Sequence, residues 1–113
     1  MLKKEFRLRK SIEIERVAKC GRSIFLRNLG IKYLPNSLAL SRFAIAVGLK
    51  IHKKAAKRNK VKRQIREIIR LNLDKIKPGF DVLVVPKPSV IDNSYREIEG
   101  EILELLKKAS LLV

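Results

Sequence analysis

Three kinds of side chain in this sequence can do chemistry, and their spacing separates them. His52 is the one histidine and Cys20 the one cysteine, so a second imidazole for proton transfer, an intramolecular disulfide and a cysteine-based zinc site are all excluded. Cys20 reads as a small hydrophobe, the usual state of a free cysteine. His52 reads as support for a turn or a phosphate contact. Carboxylates gather late in the chain as Asp92, Glu97, Glu99, Glu101 and Glu104, a helical spacing that makes an exposed acidic face rather than a metal site. The third kind is far denser: between Lys50 and Arg70 stand ten Lys or Arg and one acid. Inside that charge Val61, Ile65, Ile68 and Ile69 keep a helical apolar stripe. A solvated basic tail has no reason to preserve such a period, whereas a helix that buries one face and offers the other to phosphates does. No catalytic group and no metal-ligand set is assigned; the chemistry is recognition of a polyanion.

On a helical wheel Asn59, Lys62, Arg63, Arg66 and Arg70 lie nearly opposite the apolar stripe, while Lys60 and Glu67 share a third edge. Arg58 falls near the apolar side but in the first turns, where a long side chain can snorkel outward. Arginine supplies a planar fork for phosphate, and Asn59 can donate and accept hydrogen bonds to sugar or base. The i,i+4 pairs Arg58/Lys62, Lys62/Arg66 and Arg66/Arg70 are repulsive, each costing a few tenths of a kcal/mol in an isolated helix. Charge held against that cost points to a partner.

The whole chain has the same bias. Its 113 residues carry 27 Lys+Arg against 11 Asp+Glu, a formal net charge of +16, and are read as one domain, 1–113, with one modest core. Nucleic acid is the expected partner. An anionic membrane surface is the alternative, but the sequence has no run of 18 apolar residues and the segment from Met1 to Phe6 lacks the apolar core of a signal peptide. A cytoplasmic location is expected.

The elements that must position the basic helix follow from local pattern. Ser11 before Ile12, Ile14, Val17 and Ala18 predicts an N-capped amphipathic helix stopped by Gly21. Phe25, Leu29, Ile31 and Tyr33 predict a strand from Ser23 to Tyr33, interrupted or bulged near Gly30. Arg42–Gly48 is the clearest strand, with Phe43, Ile45 and Val47 on one face and the small Ala44, Ala46 and Gly48 on the other. The basic helix runs from about Ala55 to Leu73, ended by Lys77-Pro78-Gly79. Asp81–Pro86 is a continuous apolar run expected at the sheet centre, and Asn93-Ser94 opens a last helix with Ile98, Ile102, Leu105 and Leu106 inward. The fold class is α+β, a single α-β-β-α-β-α sandwich.

Residues Lys53–Glu67, with Lys57-Arg58-Asn59-Lys60-Val61-Lys62-Arg63-Gln64-Ile65-Arg66 at their centre, resemble the signature of the protein subunit of bacterial ribonuclease P, usually written around R-N-R-x-K-R-x-x-R. The similarity extends to Arg7-Leu8-Arg9-Lys10, the Gly21-Arg22-Ser23 turn, the Arg42–Val47 strand and Gly79–Pro86. What the resemblance implies is specific. The chain would be the protein partner of a catalytic RNA that removes the 5′ leader of precursor tRNA, an endoribonuclease whose magnesium ions are held mainly by RNA, with the protein itself monomeric and unable to cleave alone. The implied fold is ribosomal protein S5 domain 2-like, with a left-handed β-α-β crossover, rare among parallel connections. Carried over by position, Arg58, Asn59, Lys62, Arg63 and Arg66 contact the catalytic RNA, with Lys53, Lys54, Lys57, Lys60 and Arg70 beside them. A cleft between the sheet and the first helix would hold the leader through Arg9, Lys10, Ile14, Ala18, Arg27 and Phe43.

Two positions depart from the family pattern. Lys60 replaces an arginine and loses the bidentate fork. Ile14 and Ala18 stand where relatives often place aromatics, so leader recognition is expected to follow length and salt more than sequence. Phe25, Tyr33 and Phe43 are the remaining stacking candidates, each read first as core. A ribosomal-protein-like RNA-binding module outside catalysis is the second reading. A DNA-binding architectural protein is the third, unsupported by any heptad or dimer pattern.

Overall fold

A strand as apolar as Val82–Val85 is stable only where elements cover both faces of its sheet. That is the arrangement in the computed structural model, which describes residues 2–113. In chain order the elements are helix α1 (Ser11–Cys20), strands β1 (Arg22–Phe25), β2 (Leu29–Pro35) and β3 (Arg42–Ile45), helix α2 (Ala55–Leu71), strand β4 (Phe80–Pro86) and helix α3 (Tyr95–Lys108). Short 3-10 turns cover Lys4–Phe6, Leu73–Lys75 and Pro88–Asp92. The strands form one sheet of order β1-β2-β4-β3. Antiparallel pairing joins β1 to β2 and β2 to β4, while β3 and β4 are parallel neighbours connected through α2. This is the β-α-β crossover that presents the basic helix.

The central position expected for the Asp81–Pro86 run is found, since β4 lies between β2 and β3. On one face Ile31, Val82 and Val84 pack with Val61, Ile65, Ile68 and Ile69 of α2 and Ile98, Ile102, Leu105 and Leu106 of α3. On the other, Leu83 joins Leu8 and Val17, with Ile14, Ala18 and Ala44 against them. Over the residues that form β3 the expected alternation holds, Phe43 and Ile45 meeting the large core and Ala44 the small one, but the strand ends at Ile45, short of the expected Gly48.

Three local expectations are corrected. Ser11 is the first helical residue of α1 and not its cap; Lys10 occupies that position with no side-chain bond. The single strand expected from Ser23 to Tyr33 is a hairpin, closed by the Leu26 amide donating to the Leu29 carbonyl at 2.9 Å. Gly30 pairs with Phe25 within that hairpin and makes no bulge. Even spacing from Phe25 to Tyr33 concealed the turn, whose three intervening residues put Phe25 on the face opposite Leu29, Ile31 and Tyr33. Finally, α2 ends at Leu71, where Asn72 turns its side-chain amide back to the Ile68 carbonyl at 2.7 Å.

A buried carboxylate fastens α1 to the sheet. Asp81 is 1% exposed and accepts from Arg42 Nε at 2.9 Å and Nη2 at 2.8 Å and from Asn36 Nδ2 at 2.9 Å. Arg42 Nη2 also reaches Glu13 of α1 at 3.1 Å. The Asp81 hydrogen bond, opposed by burial and reinforced by Glu13, raises the Arg42 guanidinium above its ordinary pKa. A buried charge so fully partnered orients its neighbours strongly, because removing one partner leaves another charge stranded.

Candidate nucleic-acid interface

Helix α2 buries Val61, Ile65, Ile68 and Ile69 as its wheel requires, and this burial fixes which cations face outward. Lys57, Asn59, Lys60 and Arg63 are exposed and Lys62 and Arg66 half-buried, with Lys53 and Lys54 exposed just before the helix. Among the described residues none of these cations is within ion-pair distance of an acid. Two of the candidate residues are otherwise engaged. Arg58 does not snorkel into solvent: its Nη1 donates to the His52 and Lys53 carbonyls, both at 2.8 Å, bracing the loop that leads into α2. Arg70 pairs with Glu67, which pulls the Glu67 carboxyl below and the Arg70 guanidinium above their ordinary values. His52 supports the same loop, accepting the Lys54 amide at Nδ1 over 3.0 Å. Its expected role in a turn is what the geometry shows.

Beside this stripe lies a cleft of about 240 Å³ bounded by the N-terminal segment, α1, the β3 edge and α2. Its walls include Arg9, Ile14 and Phe43, three of the six residues expected there, together with Arg7, Ala44, Lys62 and Arg66. The N-terminal segment is placed by the Leu8 amide, which donates to the Phe43 carbonyl at 2.8 Å, and by a bridge between Arg7 and Phe43. Leu8 turns inward as a consequence and Arg9 is exposed, while Arg7 is half-buried with its Nε donating to the Leu2 carbonyl at 2.8 Å. Arg66 is held below its ordinary pKa first by burial and then by the charge of Arg7, yet it stays protonated at neutral pH. Two cations are thus brought together, and among the described residues neither is within ion-pair distance of an acid, a standing electrostatic attraction for an anion.

The other three expected cleft residues are elsewhere. Lys10 lines a neighbouring depression that shares Arg7 and Arg9 with the cleft and adds Lys4, Glu5, Glu13 and Arg42. Ala18 packs against the small core, and its carbonyl accepts from Lys32 Nζ at 3.1 Å. Arg27 is exposed in the β1–β2 turn, at the sheet edge opposite β3. Arg7 is the functional candidate that sequence reasoning missed; the in-out alternation of Arg7, Leu8 and Arg9 was its only local signal. Of the three aromatic candidates, Phe43 is buried at 3% exposure and Tyr33 is half-buried with its ring edge-on to Phe80. Phe25, read as core, is 44% exposed. Cys20, read as a buried hydrophobe, is exposed as well, because it ends α1 at the surface.

Among the described residues no three His, Cys, Asp or Glu side chains converge in a way that could hold a metal, and no helix is long and apolar enough to cross a membrane. Residues 2–110 match the family model described as Ribonuclease P. A curated relative, the ribonuclease P protein component of Alkaliphilus oremlandii, is 39% identical, with 94% of this chain and 92% of that protein covered. Among solved structures, the RNase P protein of Staphylococcus aureus superposes with a TM-score of 0.87 at 27% identity, covering 96% of this chain and 98% of that one. The RNase P protein of Thermotoga maritima superposes with a TM-score of 0.82 at 32% identity, covering 90% and 96%. A helix whose outer face presents Lys57, Lys60, Lys62, Arg63 and Arg66, with a cationic cleft beside it, suits the protein part of a ribonucleoprotein endoribonuclease. By sequence and by fold, this chain belongs to the ribonuclease P protein family, whose members are components of the enzyme that processes the 5′ leader of tRNA.

Proposed function

We propose that the single domain, residues 1–113, binds the catalytic RNA through the outer face of α2 and holds the 5′ leader of precursor tRNA in the cleft between α1, the N-terminal segment and β3. Lys57, Asn59, Lys60, Lys62, Arg63 and Arg66 make the RNA contacts, with Lys53 and Lys54 extending the surface toward its start. Arg58 acts at one remove, holding the loop that carries Lys53. One observation carries this reading: Lys62 and Arg66 belong both to the α2 stripe and to the cleft wall. A leader strand in the cleft and an RNA helix on α2 would therefore share a continuous cationic surface, neutralising phosphates that would otherwise repel each other.

Magnesium does not fit the cleft. A hard cation takes several oxygen donors, whereas the walls present Arg7, Arg9, Lys62 and Arg66 among apolar side chains. The ions of the reaction are assigned to the RNA, and this chain's residues bind and orient. The protein acts in the cytoplasm, monomeric before assembly, and does not cleave precursor tRNA by itself.

The test is binding of the catalytic RNA by Arg63→Ala and Arg66→Ala variants over a salt series. Each should weaken binding and reduce the slope of log affinity against log salt by about one, the loss of one phosphate contact. Unchanged affinity and slope in both, with native circular dichroism, would move the RNA surface off α2.

A further inference from the structure

The hairpin leaves one aromatic ring where no core needs it. Register places Phe25 on the same face of the sheet as Gly30, Lys32, Val85 and Ala44, the face that α1 covers from the Arg42–Asp81 end, through Glu13, Val17 and Ala18, as far as Lys32 and the cluster that includes Val85. At the other end Phe25 remains 44% exposed. Its ring lies over Gly30 so closely that a Cβ there would overlap three ring atoms. Lys87 Nζ sits 5.5 Å from the ring centroid and is itself held by the Leu26 carbonyl at 2.8 Å. The ring is thus pre-positioned and flanked by cations, with Arg27 exposed in the adjoining turn. Covering a strand glycine with an aromatic ring steadies a sheet, but that role leaves the exposure and the flanking positive charge unexplained. A fixed aromatic ring beside cations on an open sheet face is the arrangement by which proteins stack the bases of single-stranded nucleic acid.

We propose that Phe25, seated on Gly30 beside Lys87, stacks a nucleobase of the single-stranded 5′ leader. The inference rests on the leader-cleft reading and deepens it. Ala44 lines the cleft at the β3 edge, and Phe25 lies three strand spacings across and two residues along on the same face, roughly 16 Å, so a strand entering beside Arg9 and Ile14 and crossing the sheet reaches the ring. The ring supplies a base contact that Ile14 and Ala18 of α1 cannot, and leader recognition then depends on the base at one position as well as on length and salt.

The experiment uses holoenzyme reconstituted with the catalytic RNA and measures affinity for mature tRNA, for precursor with an eight-nucleotide leader, and for that precursor with an abasic nucleotide at each leader position in turn. With Phe25→Leu the intact precursor should bind roughly tenfold more weakly, within the range for one base–aromatic stack, while Phe25→Tyr, which keeps the ring, retains wild-type affinity. One abasic position should weaken the wild type by the same factor and weaken Phe25→Leu no further. An equal loss on mature tRNA, full retention of precursor affinity by Phe25→Leu, or an abasic penalty as large in that variant as in the wild type would overturn the stacking role. If the wild type gains nothing from a leader, the cleft reading falls together with it; if wild type and Phe25→Leu gain equally, only the stacking role falls.

Discussion

Helices α2 and α3 pack side by side on one face of the same sheet and are alike inside and opposite outside. Each buries four aliphatic side chains at helical spacing, Val61, Ile65, Ile68 and Ile69 in α2 and Ile98, Ile102, Leu105 and Leu106 in α3. Outside, α3 follows the rules that stabilise a helix. Ser94 caps it with a reciprocal bond to Glu97, its last turn carries Lys107 and Lys108, and Lys108 pairs with Glu104 at 3.5 Å. Its acids are spent on structure: Glu101 also accepts the Asn28 amide at 3.0 Å, tying the helix to the β1–β2 turn. By contrast α2 has Lys54 at its N-cap without a side-chain bond and no acid in its first turn. Lys57 and Arg58 stand instead against the positive end of the helix dipole. The lesson is that a buried face sets where a helix sits, whereas departures from good helix chemistry on its outer face mark where the molecule expects a partner.

If the two inner faces are equivalent, truncating either should hurt alike. Ile65→Ala and Ile102→Ala are each expected to cost about 2–5 kcal/mol in urea unfolding; a loss below about 1 kcal/mol at Ile65 would mean that α2 is held by its partner rather than by the core. The outer faces should then respond in opposite ways to a cap. Ser94→Ala removes the α3 cap and should cost about 1 kcal/mol, with catalytic-RNA affinity unchanged. Installing a cap on α2 with Lys54→Asp should raise the unfolding temperature by a few degrees, as a gain near 1 kcal/mol does, while weakening RNA binding. A variant that gains stability at no cost in RNA affinity would show that the missing cap serves no partner. The smallest effect concerns pH. The Glu97 carboxyl is held below its ordinary pKa chiefly by the Ser94 amide. A lower pKa folded than unfolded means that its contribution is complete above the unfolded value and is lost as pH falls through the folded one. Stability of Glu97→Gln should therefore fall less steeply than wild type on acidification below about pH 4.5, and parallel curves would remove Glu97 from the cap.

What could be read locally was read correctly where the period was long and unbroken. The buried faces of α2 and α3 and the opposed faces of β3 follow from helical spacing and alternation, and the centrality of β4 from its continuous apolar run, all of which a chain displays without reference to distant residues. The hairpin was hidden because two strands joined by a three-residue turn keep an even spacing while exchanging faces, and this is why Phe25 was read as core. Lys10, Ala18 and Arg27 do not line the cleft beside α2 for a related reason, since where they sit depended on which end of the sheet α1 crosses.

By itself the sequence determined that α2 would be a basic helix with one buried face, because burial and charge are properties of the side chains and their spacing. Only the tertiary structure decided which cations remain free. Arg58 is drawn to the His52 and Lys53 carbonyls, Arg70 to Glu67 and Arg7 Nε to the Leu2 carbonyl, while Arg7 and Arg66, far apart in the chain, are brought to one cleft. The tie that orients α1 is likewise tertiary: Glu13, Arg42 and Asp81 are 29 and 39 residues apart. Interactions of that reach leave no local period, since their strength comes from burial and geometry that exist only after the chain has closed on itself.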